Sequence, residues 1–270
     1  MVSSSMISIP NVRSLIVDLT PPVLLRLAQR SRRRIRYLMR RRTAAFAATD
    51  VGNGYDSDEY AGQIVANKLR AVKPEPYDHR SGRLILPLIV CRFLDQPLTV
   101  LDFGGGAATG LFSILDQIVG LDLAKLSYVL VDTPAMCQAV RGKIAPRMPL
   151  AFKILDDIPA SLSAPLIVNM DSSIQYLPAY RETLTKLTSL APHYIIVSRT
   201  PMTDGPTYIR DEPHPYKKIA TRVPNRSEFI AEMGSLGYGC IYQIDHDAGQ
   251  SDEGGTRVST SIVFRPYSNL

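Results

Sequence analysis

Five short stretches of this chain are apolar at nearly every position: residues 98–103, 127–131, 150–154, 166–170 and 194–198. Strands that are apolar on both sides must be covered on both faces, so these stretches predict a parallel sheet. The segments between them, notably 110–118, 134–144 and 180–190, read as helices. Strands alternating with helices make an α/β fold, with helices on both faces of the sheet. Near the end, residues 239–245 and 260–264 flank a polar, Gly-rich stretch and predict a closing antiparallel hairpin. Ahead of the first strand, Ser57 reads as the N-cap of a helix whose first turn holds Asp58 and Glu59. A further helix is expected over residues 83–94.

The first 54 residues break from this pattern. Pro21 and Pro22 open a helical run, since proline is tolerated in a first turn. Residues 1–42 hold ten Arg, no Lys and one acid, a net charge of +9, whereas residues 43–270 carry −3. The chain's overall +6 therefore belongs to this arm. Leu24, Leu27, Ile35 and Leu38 share an apolar side opposite the arginines. That side either docks on the main domain or lies on an anionic membrane surface. Aromatic residues do not alternate with the charge, so nucleic acid is not an expected partner. With residues 43–54 as a linker, the chain divides into a basic, mostly helical arm (1–54) and a main domain (55–270).

No run of 18 apolar residues occurs, so no transmembrane span is expected. Nor does the N-terminus show an apolar core followed by a small-residue cleavage site. Cys91, Cys137 and Cys240 lie far apart, with no C-x-x-C or His/Cys cluster. Neither a metal site nor an oxidising compartment is expected. The expected setting is the cytoplasm, with the arm free to reach the inner face of the membrane.

The candidate chemistry begins where the first strand stops at three glycines, VLDFGGGAATG. In a doubly wound sheet, ligands bind beyond the carboxyl ends of the strands, at this kind of turn. A dinucleotide fingerprint needs G-x-G-x-x-G. Gly104 and Gly106 fit it, but Thr109 occupies the third place. The alternative pattern, D-x-G-x-G, is met by Asp102, Gly104 and Gly106, with Gly105 between them. A carboxylate beside the turn suits a cationic, phosphate-free ligand such as S-adenosylmethionine and is unhelpful to a pyrophosphate. The second strand ends in Asp132, an acid placed to accept two ribose hydroxyls, or alternatively to cap the helix beginning near Pro134. It lies thirty residues past Asp102, against about 20 in the dinucleotide pattern. Leu155 and Asp156 at the third tip, and Asp171 and Ser172 at the fourth, complete the expected cofactor set.

In order, YDSDEY, VLDFGGG, YVLVD, FKILDD, DSSIQYL, YIIVSRTP and LGYGCIYQID resemble a family of class I S-adenosylmethionine-dependent methyltransferases. Its members are commonly encoded among bacterial surface-polysaccharide and secondary-metabolite genes. The resemblance spans residues 54–264. It implies a Rossmann-like, seven-stranded sheet, the cofactor over Gly104–Gly106 and the ribose on Asp132. The family's Trp- and Phe-rich segment before the last helix is replaced by TRVPNRSEF, and the chain has no Trp. Acceptor identity is therefore not implied.

Methyl transfer to a hydroxyl needs alignment and a base for the hydroxyl proton. The polar segment SRTPMTDGPTYIRDEPHPYKK leaves the functional edge after strand five and reads as a long substrate loop. Asp204 and His214 are its base candidates, with surface loop positions as the plain alternative. Arg199 and Tyr208, together with Gln175, Tyr176 and His79, are the expected acceptor contacts. The expected activity is O-methylation of a saccharide or small metabolite. A catalytically silent scaffold or, on a related sheet, a nicotinamide oxidoreductase are the alternatives.

Overall fold

The structure is a computed structural model describing residues 56–70, 83–213, 218–246, 250–252 and 255–269. The basic arm, the linker and its boundary with the main domain, His79 and His214 lie outside the described residues. Among those described, no helix is long and apolar enough to cross a membrane.

Strands fall on the five apolar stretches: β1 (Leu98–Phe103), β2 (Leu126–Val131), β3 (Lys153–Leu155), which starts three residues later than expected, β4 (Leu166–Asp171) and β5 (Tyr194–Met202). Helices α1 (Asp58–Arg70) and α2 (Ile85–Val90) precede them. Helices α3 (Thr109–Gln117), α4 (Pro134–Lys143) and α5 (Tyr180–Ser189) form the crossovers. After β5 come an antiparallel ribbon of β6 (Tyr208–Pro213) and β7 (Lys218–Val223), then α6 (Arg226–Ser235) and β8 (Tyr238–Asp245). Strands β9 (Gln250–Asp252) and β10 (Gly255–Pro266) finish the fold.

The main sheet runs β3-β2-β1-β4-β5-β10-β8, and β9 pairs with β10. Strands β1 to β5 are mutually parallel, whereas β10 is antiparallel to both neighbours. Alternate residues of each strand face opposite layers. Val100, Leu130 and Ile196 pack with α1 to α4 on one face, through Val65, Leu111 and Val140. Leu101, Val129 and Val197 pack on the other with Leu184 of α5 and Phe229 of α6. The sheet order reverses at β1 and β4, so the chain leaves their carboxyl ends toward opposite faces, to α3 and to α5, and a crevice lies between these connections.

Local signals explain the helix starts. The Ser57 hydroxyl accepts from the Tyr60 amide at 3.3 Å, as expected of an N-cap. Helix α4 is capped by Thr133, which accepts from Met136, with Pro134 in the first turn. Asp132 is therefore not that cap. Helix α6 begins at Asn225, whose side chain accepts from the Glu228 amide at 2.8 Å.

One expectation needs correcting. The polar segment after β5 is not an irregular loop. The strand continues to Met202 and the chain then doubles back as the β6–β7 ribbon. Pairing in register from Tyr208–Val223 to Pro213–Lys218 satisfies the backbone groups that a long loop would leave to water.

Candidate functional site

A cavity of about 1010 Å3 lies over the carboxyl ends of the parallel strands. Pockets for drug-sized ligands span roughly 300–1000 Å3, so there is room for a nucleoside-sized ligand and a small partner. Its floor is the turn after β1. Gly104 and Gly106 take φ of +67° and +56° there, and Ala108 takes +56°. Side chains rarely adopt that region, which accounts for the glycines. At Gly104 a second reason applies, because a Cβ would collide with that of Ser173.

Asp102 does not face the cavity with its carboxylate, contrary to expectation. Its side chain is fully buried beneath the turn. It accepts from the Tyr128 hydroxyl on β2 and, at 2.7 Å, from the Asn169 amide on β4. Burial pushes its pKa up to about 6, the two hydrogen bonds opposing the shift. Burial and the neighbouring Asp102 charge drive the Tyr128 phenol in the same direction. A Cβ on Gly110 would sit 2.7 Å from the Asp102 carboxylate and 2.8 Å from the Tyr128 hydroxyl. Asp102 thus ties three strands together under the turn, a structural part of the site.

Asp132 sits at the β2 tip as expected and lines the cavity. One carboxylate oxygen accepts from the Gly106 amide at 2.8 Å, the other from Thr133 at 2.8 Å. Burial raises its pKa, and these two amides oppose the shift. A carboxylate offers about four acceptor positions, so two remain for a ligand diol. Asp156 lines the cavity at the β3 tip, with Asp157 beside it. Leu155 instead packs into the core below.

At the β4 tip, Asp171 and Ser172 line the cavity, as do Tyr176 beyond them and Arg199 from β5. Arg199 grips Asp171 with its Nε and Nη2 atoms, both at 2.6 Å. It stands in a bulge where Ser198 and Arg199 oppose Ser261 alone, with a φ of +52°. A bulge re-aims a side chain, and here it turns the guanidinium onto the neighbouring strand's tip. Ser172 shares the unusual geometry, at φ +55°. Backbone strain of this kind collects at ligand sites.

Other expected contacts fall elsewhere. Gln175 is 2% exposed and donates to the Ser172 hydroxyl at 2.8 Å, shaping the segment rather than meeting a ligand. Tyr208 stands at the start of the ribbon, outside the cavity lining. Asp204 is 81% exposed, also outside it, and pairs with Arg226 at 3.3 Å.

Two features were not anticipated. The ribbon holds the segment after β4: the Tyr176 hydroxyl donates to Glu212 at 2.9 Å, and Arg222 donates to the Leu177 and Pro178 carbonyls. The signal lay in YIRDEP and KIATRV, two strand-length runs separated by a short stretch with Pro215. The second is Ser173, whose hydroxyl is buried at the cavity wall without a hydrogen-bond partner. Nothing local in the sequence distinguished it from Ser172.

No protein-family model matches the chain, and no curated protein does. Solved structures do. The 1,6-didemethyltoxoflavin-N1-methyltransferase of Burkholderia thailandensis, with its substrate and S-adenosylhomocysteine (SAH) bound, aligns at 14% identity and a TM-score of 0.48. That alignment spans 82% of this chain and 93% of the other. The N-terminal domain of EvdMO1, in the presence of SAH and D-fucose, gives a TM-score of 0.50 at 12% identity. It covers 79% of this chain and 99% of its own. Identity this low speaks to architecture alone. Its strand order and this alignment give the chain the Rossmann-like, seven-stranded fold of class I methyltransferases.

Proposed function

We propose that this chain is an S-adenosylmethionine-dependent methyltransferase acting on a hydroxyl of a saccharide or other small-molecule acceptor. The observation that carries the reading is the charge of the cavity. Its lining sets Asp132, Asp156, Asp157, Asp171 and Glu182 against Lys186 and Arg199, and Asp171 already holds Arg199. A pyrophosphate over the glycine turn would meet this negative potential, whereas a sulfonium and an ammonium are attracted by it. The N-terminal domain of EvdMO1, of the same architecture, was crystallised in the presence of SAH, which supports this reading.

The donor set fits the cofactor. Asp132 offers its remaining acceptor positions to a ribose diol, and the glycine turn admits the ligand to the backbone. Asp156 or Asp157 is placed to accept from an exocyclic amine. When bound, the cofactor supplies an electrophilic methyl group on sulfur. The chain's residues then need chiefly to align the acceptor and exclude water. Tyr176, held by Glu212, and Tyr60 of α1 form the acceptor side of the cavity. Of the two base candidates, His214 is the one we propose, because Asp204 lies outside the cavity and is engaged by Arg226. The basic arm would keep the enzyme near an anionic cytoplasmic membrane surface.

Calorimetric titration of the full chain with SAH and with NAD tests the reading. SAH should bind and NAD should not, and Asp132→Ala should weaken SAH by on the order of 100-fold, the loss expected for bonds to a charged acceptor. Heat with NAD alone would reverse the assignment. Methyl transfer from labelled cofactor into a glycan or metabolite extract separates an enzyme from a silent scaffold.

A further inference from the structure

We infer that β8 is a self-pairing edge: two copies of this chain join β8 to β8, antiparallel about a two-fold axis, and the sheet continues from one copy into the other. The strand ends the sheet order, with β10 on its inner side and no strand beyond it among the described residues. It is eight residues long and exposed from Cys240 to Asp245, so its outer backbone edge is a template for another strand. Ile241, Tyr242 and Ile244 are 44%, 45% and 37% exposed, three of the eight large apolar side chains that the described residues leave open to solvent. Proteins guard such edges with lysine, proline or inward-pointing charge. Residues 238–244, YGCIYQI, contain none of these. The one interruption is a bulge at Ile241, which re-aims that side chain and leaves the register with β10 unbroken from Tyr242 to Asp245.

A second copy fits this edge better than a foreign strand. The run carries no charge, so a copy meets no repulsion and an acidic or basic peptide finds no complement. The first charge, Asp245, is already held by Arg226 at 3.1 Å and by Thr260 at 2.8 Å. A two-fold axis anywhere between Cys240 and Ile244 sets Asp245 opposite an uncharged residue of the other copy. Pairing of identical strands about such an axis closes at two copies and uses up both edges. The opposite edge of the sheet, β3, has only three residues, too few to match β8 in a head-to-tail array. The exposed parts of the three apolar side chains come to roughly 200 Å2 per copy. Doubled by symmetry, they supply close to half of the ~1000 Å2 that a specific interface needs, and the paired backbone edges add to it.

Analytical ultracentrifugation of the full chain over micromolar concentrations tests the pairing, in reducing buffer so that the exposed Cys240 forms no disulfide. Wild type should sediment as a dimer that dissociates on dilution. Tyr242→Lys puts a charge on the edge and should weaken association by at least about tenfold. Leu88→Lys, at a side chain 64% exposed on α2, should leave it unchanged. Thermal unfolding confirms that both variants are folded. Hydrogen exchange gives a second readout: amides of residues 242–245 should be protected in concentrated wild type and exchange faster on dilution or in Tyr242→Lys. A monomer at every concentration, an assembly larger than a dimer, or association indifferent to Tyr242→Lys overturns the inference. So does protection of these amides that does not depend on concentration, which would mean that the edge is covered from within one copy.

Discussion

Replacing Asp102 by Asn should remove a pH dependence of folding that the buried carboxylate creates. The side chain is fully buried, and its pKa lies at about 6 against an ordinary 3.8. At 1.36 kcal/mol per unit, that difference corresponds to about 3 kcal/mol. The sign follows from the direction of the shift. Below 3.8 the group is protonated folded and unfolded, and its contribution to stability is complete. Between 3.8 and about 6 the unfolded chain releases the proton while the folded chain holds it, and the contribution drains away. Above that window the cost of a buried charge is constant. Asn keeps the volume and an acceptor for the Tyr128 or Asn169 donor, but it cannot ionise. The assay is urea unfolding of wild type and Asp102→Asn from about pH 4 to about pH 7, read as the difference between the two. Subtraction removes the other carboxylates, to the extent that they titrate alike in both proteins. Relative to the variant, wild type should lose on the order of 2 kcal/mol across that range, the rest of the full difference falling below about pH 4. A difference that stays flat or rises with pH would refute the account of Asp102 as a desolvated anion under the turn.

Other consequences are equally concrete. Gly105→Ala places a Cβ 2.5 Å from Leu130 Cδ1 and 2.6 Å from Asp102 Cγ. It should cost about 1–3 kcal/mol by overpacking, seen as a lowered Tm. Gly106→Ala has open space around it, so its cost is confined to the φ of +56°. It should be milder, about 1–2 kcal/mol; equal losses in the two would contradict the packing argument. Arg222→Ala removes the donors to the Leu177 and Pro178 carbonyls and the guanidinium 4.8 Å from the Tyr180 ring. Amide exchange should accelerate in residues 174–180 with the sheet unaffected, and an unchanged segment would show that the ribbon does not hold it.

The parallel strands and the crossover helices were legible in the sequence because each is a local pattern. A doubly covered strand is mostly apolar on both faces, and β1 was read to the residue despite its buried Thr99 and Asp102. The glycine turn and Asp132 were legible for the same reason: backbone geometry at a strand tip restricts residue type wherever it occurs. The direction of a side chain is another matter. Asp102 and Asp132 are both acids near strand tips, yet one points beneath the turn and the other clasps it from the side. That difference arises from Tyr128 and Asn169, brought alongside only by the strand order β2-β1-β4. Likewise, Arg199 meets Asp171 because the bulge opposite Ser261 redirects it, and Ser173 is buried because Gly104 leaves space against it. Periodicity determines which residues must lie inside; contacts between residues distant along the chain, formed only when the sheet assembles, decide which of the polar ones face a ligand.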